Sequence, residues 1–199
     1  MADNLGTRPV VGRLAADVVL FTRRSGALSV LVVERGGEPF RAALALPGGF
    51  VEPGERPPDA AVRELAEETG VVLPRERLRR LGCYREPGRD PRGHVVSVVY
   101  HGYLAGAPVV TGGSDARAAR WVGVLDFMAP GARVAFDHRR IVGDAVFRRF
   151  GWRLAAWGPV GAASPGAAGG RAPGGRAPRD DRPDPRSGCR SAPGSPPPR

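Results

Sequence analysis

Apolar residues along the chain fall into short runs whose spacing switches between the periods of strands and helices. Asp17-Val18-Val19-Leu20-Phe21 and Leu28-Ser29-Val30-Leu31-Val32-Val33 are aliphatic runs of strand length. Ser25-Gly26 lies between them at a turn, so the pair is expected to form a hairpin. Leu78–Tyr84, His94–Leu104 and Ala119–Val124 are further strand candidates, rich in Val and aromatic residues. Two segments carry helical patterning, about Pro58–Thr69 and about His138–Trp152. Pro57 and Pro58 suit the start of the first, and Gly70 suits the left-handed residue just past its end. Asp137 is the expected N-cap of the second, with Phe136 and Ile141 as a hydrophobic staple. The sum is an α/β fold: a sandwich with a mixed sheet between helices. No internal repeat is visible.

A break in composition near Trp157 sets the domain organisation. Residues 1–13 form an N-terminal segment, 14–157 the folded body, and 158–199 a tail rich in Pro, Gly and Arg. From Pro159 onward 10 residues are Pro and 8 are Gly, with one Val as the sole large aliphatic. Such a segment buries too little apolar surface to offset its ordering entropy, so disorder is expected rather than a docking tail. There is no apolar run of membrane-spanning length, and Met1–Pro9 is polar, unlike the apolar core of a secretory signal. Cys83 and Cys189 lie far apart, which argues against a disulfide framework. A reducing cytoplasmic setting is the expectation.

The net charge of +10 changes this picture little. All 30 basic residues are Arg, and they are scattered rather than striped. Codon bias in a GC-rich genome accounts for them more simply than nucleic-acid binding does. A basic surface still favours anionic ligands.

The informative stretch is Gly49–Val71, GFVEPGERPPDAAVRELAEETGV. At about 100° per residue, Glu67 falls near −60° and Glu68 near +40° from Glu64, so the three acids share one helix face. Val62 and Leu65 fall on the other side and anchor the helix. Three carboxylates so placed repel one another. A merely solvated acidic face is a poor account, because Arg63 is the only basic residue in that helix. Hard divalent cations, which want oxygen ligands, explain it better. Mg²⁺ binds through a few carboxylates plus substrate phosphates, with Mn²⁺ as the alternative, and that combination points to phosphate chemistry. Leu46-Pro47-Gly48-Gly49 precedes the acids, and its glycines allow close backbone approach to metal or phosphate.

Gly49, Glu55 and Arg63-Glu64-Leu65-Ala66-Glu67-Glu68-Thr69-Gly70-Val71, in this spacing, resemble a complete Nudix box. The seven fixed identities would co-occur by chance roughly once in 10⁸ to 10⁹ placements, so the chain is identified as a member of the Nudix hydrolase superfamily. The resemblance implies a Nudix-type α/β/α sandwich and attack of water on a diphosphate, assisted by Mg²⁺. It also implies that Glu64, Glu67 and Glu68 are metal ligands, joined by the Gly48 carbonyl. Glu55 would support the site, and Arg63 would orient the box carboxylates. Outside the box, Tyr84–His94, Gly112–Arg117 and Ala135–His138 resemble loops of a microbial ADP-ribose pyrophosphatase subgroup. Pro87 lies 16 residues past Val71, similar to the proline associated with ADP-ribose substrates. Pro87, Arg89 and Arg92 are therefore substrate-binding candidates, with the two guanidiniums available to phosphate or ribose oxygens.

The chain also departs from the pattern. Leu44 stands where relatives often carry Trp, and no Glu follows Glu86. A downstream catalytic Glu is thus excluded, leaving Asp115 as candidate base, or else Glu67 or Glu68. His94, His101 and His138 are isolated and are expected to be strand or helix-start residues. The leading expectation is hydrolysis of ADP-ribose to AMP and ribose 5-phosphate. NADH or a nucleoside triphosphate is the enzymatic alternative. A ligand-sensing transcription regulator is the alternative of another class, though the tail could not form a winged helix. The expected partner is a nucleotide-sugar or related small molecule, without membrane or nucleic acid, and relatives of this kind often form homodimers.

Overall fold

The structure, a computed structural model, describes residues 12–113 and 116–152. The tail 158–199, nearly all of the 1–13 segment, Asp115 and Cys189 lie outside the described residues.

Strand β1 (Arg13–Arg24) and strand β2 (Ala27–Arg35) form the expected hairpin, with Arg24 opposite Ala27. Ser25 (φ 47°) and Gly26 (φ 81°) both take positive φ, the requirement of a two-residue turn that matches strand twist. Two short strands follow, β3 (Leu44–Ala45) and β4 (Gly48–Phe50). Helix α1 (Pro57–Thr69) then leads through a 3₁₀ turn (Arg75–Arg77) into β5 (Arg79–Tyr84), β6 (Val95–Tyr103) and β7 (Ala116–Gly123). Helices α2 (Val124–Met128) and α3 (His138–Phe150) complete the described chain.

The seven strands make one mixed sheet, ordered β3-β2-β1-β6-β5, with β4 on β1 and β7 on β2. β1 runs antiparallel to β2 and β4 but parallel to β6. It is central, and eight consecutive residues, Ala15–Thr22, are buried. Its side chains alternate between two cores. Val19 and Phe21 pack with Val30, Val32, Phe127, Ile141 and Val146 under α2 and α3. Val18 and Leu20 pack with Leu31, Ala60, Ala61 and Leu65 under α1. A strand covered on both faces needs an unbroken apolar run, which is the pattern in the sequence. The α/β/α sandwich is borne out.

Several local expectations are corrected. Val124 opens α2 instead of closing β7, because the strand's pairing with β2 ends at Gly123 opposite Ser29. α3 stops at Phe150, where Gly151 turns left-handed (φ 72°), two residues short of Trp152. Asp137 occupies the N-cap position, but its side chain makes no cap hydrogen bond, being committed to Arg89. Phe136 and Ile141 pack in separate clusters, so no staple forms between them. α1 ends as expected, with left-handed Gly70 donating its N–H to the Ala66 carbonyl at 2.9 Å. Among the described residues no helix is long and apolar enough to cross a membrane.

Candidate active site

Leu65 and Ala61 bury one side of α1 against the sheet, which turns the opposite side toward β4 and the cleft. Glu64, Glu67 and Glu68 all line that cleft, whose volume is about 430 Å³. Arg63 is the hub among the acids. Its Nε and Nη2 donate to the two Glu55 oxygens at 2.9 and 3.0 Å, the fork-to-fork geometry of strong pairs. Its Nη1 donates to Glu64 at 2.9 Å and Glu67 at 3.3 Å, and Nη2 also reaches the Phe50 carbonyl. This fork holds the Glu55 carboxyl below the usual carboxylate range. Glu68 faces elsewhere: its Oε2 accepts the Gly48 N–H at 3.0 Å.

The glycine loop fits against this helix with no room to spare. A Cβ at Gly49 would collide with the Glu64 carboxylate, and one at Gly48 with Asp17 and the β1 backbone. Among the described residues no three Asp, Glu, His or Cys side chains converge at metal-ligand spacing. Arg63 draws Glu64 and Glu67 to itself while Glu68 turns to the Gly48 N–H. The donor set nonetheless fits a hard cation, since three carboxylates beside a glycine loop supply only oxygen ligands.

The cleft lining is also basic and aromatic. Arg35, Arg89, Arg92, Phe50 and Phe136 belong to it. Arg89 and Arg92 reach the cleft as expected, but neither guanidinium is idle. Arg89 is forked onto Asp137 at 2.7 and 3.1 Å, with its side chain 5% exposed. Arg92, at 35%, is forked onto the buried Asp90 and lies over the Phe50 and Phe136 rings. Pro87 is exposed and is not part of the cleft lining. Asp115 falls outside the described residues. Its neighbours Gly113 and Ala116 come close, Gly113 against the Glu67 carbonyl and Ala116 onto the cleft. Leu44 packs against the core under α3 and is not in the lining either.

Two site residues escape a reading of the sequence. Asp17 is 7% exposed at the cleft floor, where its carboxylate accepts the Ser97 hydroxyl. The available signal was a lone acid at the head of an otherwise apolar run. His138 starts α3 as expected, yet its Nδ1 also accepts the Leu46 N–H at 2.9 Å. That bond places the ring proton on Nε2.

Burial holds His138 down to about 4, against an ordinary value of 6.5. An unfolded chain takes up a proton here as the pH falls through about 6.5, whereas the folded chain waits until about 4. Stability is therefore lost as pH drops across that window, by at most about 1.4 kcal/mol per pH unit. Melting curves from about pH 7 to 4 should show a shallower decline for His138→Asn than for wild type. Equal slopes would assign the whole dependence to other groups.

Comparison with known proteins agrees with this geometry. An ADP-ribose pyrophosphatase of Methanocaldococcus jannaschii is 41% identical over 115 residues, covering 58% of this chain and 64% of that protein. An ADPR responsive transcriptional repressor of Acinetobacter baylyi is 28% identical over 137 residues, covering 68% and 53%. The chain thus spans less than two thirds of either curated relative. Among solved structures, the NUDIX domain of Shewanella oneidensis NrtR complexed with ADP ribose superposes with a TM-score of 0.64 at 29% identity, covering 74% of this chain and 93% of that one. A MutT/nudix family protein from Enterococcus faecalis gives 0.63 at 34% identity, covering 69% and 61%. The NUDIX domain model matches residues 12–143, which include every box residue placed above. On that match, over a glycine loop packed against an acidic helix, the chain belongs to the Nudix family.

Proposed function

We propose that the cleft hydrolyses the diphosphate of ADP-ribose, giving AMP and ribose 5-phosphate. The observation that carries this reading is a single cleft lined both by the three box acids and by Arg35, Arg89 and Arg92. A diphosphate flanked by two sugars suits that combination. Glu64, Glu67, Glu68 and the Gly48 carbonyl are the residues that would hold Mg²⁺, and the bound cation would offset charge on the phosphates. Arg63 keeps Glu55, Glu64 and Glu67 in place for this. Proton removal from the attacking water falls to Glu67 or Glu68, or to Asp115. Arg92 is the more exposed of the two forked arginines, which supports it as the one that would meet substrate oxygens.

Similarity to proteins named for ADP-ribose supports the substrate, and retention of all three acids favours hydrolysis over binding alone. Catalytic efficiency for ADP-ribose is expected to exceed that for ATP or dGTP at least about tenfold, a gap of about 1.4 kcal/mol. Arg92→Lys keeps the charge but loses the fork, and should cost more with ADP-ribose than with ATP. A substrate panel with product identification checks both. If a triphosphate proved best and released pyrophosphate, the family would stand and the substrate would not. The likeness to an ADPR responsive repressor supports a second reading, a sensor. ADP-ribose bound but left intact with Mg²⁺ present, together with ADP-ribose-dependent DNA binding at physiological salt, would favour it.

A further inference from the structure

A second hollow of about 720 Å³ lies at the far end of β6, sharing no lining residue with the cleft. Val95 lines the cleft and His101 the hollow, six residues apart on one strand, or about 20 Å. Arg77, Arg79, Arg80, Arg148 and Arg149 surround it. They arrive from three directions: the 3₁₀ turn, strand β5 and the last turn of α3.

Scattered surface arginines in an arginine-rich chain are the plain explanation, and Arg148 and Arg149 do suit the negative end of α3. Two observations go beyond it. Among the described residues no carboxylate pairs with the side chains of Arg77, Arg79, Arg148 or Arg149. The one acid in the lining, Glu76, is held by Arg75 at 3.1 Å. Like charges gathered without a counterion repel, so the arrangement is one that an anion would relieve. The second observation is His101, paired with Arg79 across the β5–β6 ladder and 7% exposed. Its Nδ1 is buried with no hydrogen-bond partner among the described residues, a rare condition for a buried nitrogen. Arg149 is braced over the Tyr103 and Phe150 rings, which fixes its position at the rim.

From this we infer that the hollow is a second ligand site, one that binds a phosphate-bearing anion. Planar guanidinium forks match phosphate oxygens bidentately, and several of them call for an anion of at least two charges. The volume accommodates a diphosphate.

The three histidines of the chain make the test site-specific. His101 reports the hollow and His138 the cleft. Arg79 and Arg80 on β5, Arg148 and Arg149 on α3, and Arg77 and Glu76 on the turn line the hollow with His101, as does Tyr103 on its own strand. Burial and the charges of Arg149, Arg148 and Arg79 hold its pKa below the ordinary value, so a bound anion should raise it. Inorganic pyrophosphate is titrated into the full chain without divalent cations, at constant ionic strength, while histidine ring resonances are followed. Saturable movement of His101 is expected, with affinity at least about tenfold weaker in the Arg79→Ala/Arg149→Ala double variant. His138 resonances unchanged by the two substitutions would show that the variant is folded. A His101 signal that stays still, or moves equally in wild type and variant, would overturn the proposal. So would movement with duplex DNA but not with pyrophosphate, which would make the patch a nucleic-acid face.

Discussion

Replacing Glu68 or Glu67 by Gln should lower turnover about 100-fold or more at saturating Mg²⁺, with the fold intact. A loss of that size is about 2.7 kcal/mol of transition-state stabilisation, in the range that a ligand's charge supplies at a metal-assisted phosphoryl site. Gln preserves shape and helix propensity. At Glu68 the amide oxygen could still accept the Gly48 N–H, so the loop contact survives while the negative charge does not. At Glu67, half exposed, the change removes the charge of one ion pair with Arg63 but leaves its fork on Glu55 and its bond to Glu64. Relief of repulsion among the three acids should keep the melting temperature close to wild type. Steady-state kinetics beside circular dichroism decide the matter. Near-normal turnover in both single variants would remove these acids from the site.

Gly48→Ala should act on stability as well as turnover. A Cβ there would stand 2.5 Å from the Ala16 carbonyl oxygen and 2.8 Å from the Asp17 Cα. Both belong to the backbone of β1, which is packed on two faces and cannot retreat as a flexible side chain would. Overpacking of this kind costs about 3 kcal/mol. In a chain of this size that is a fall of about 6 to 12 °C in melting temperature. Calorimetry would read it directly, and a shift under about 2 °C would mean that β4 moves off β1 without penalty.

What was legible in the sequence follows from how local its cause is. The hairpin, α1 and the shared face of Glu64, Glu67 and Glu68 depend on spacing within a dozen residues, and the structure keeps them. β3 and β4 have two and three residues, too few to show a period, and arise only because β2 and β1 offer them edges. Asp137 takes the N-cap position as expected, but makes no side-chain cap bond for a similar reason. Its cap role depends on neighbours in sequence, whereas its partner Arg89 is 48 residues away. Arg89 and Arg92 reach the cleft, but pattern could not reveal that Asp137 and Asp90 hold them there. His138 taking the Leu46 N–H, 92 residues apart, belongs to the same class.

The parallel pairing of β1 with β6 has a kinetic consequence. Arg13 meets Val95 and Phe21 meets Tyr103, so every rung of that ladder closes a loop of about 80 residues. Chain entropy opposes such closure before any contact rewards it, which slows folding. The Arg63 bonds to Glu55, Glu64 and Glu67 span eight residues or fewer and need little more than a formed α1. The two halves of the cleft thus mature on different clocks. The acidic wall can assemble with its helix, while the floor, where Asp17 meets Ser97, waits for the whole sheet to close.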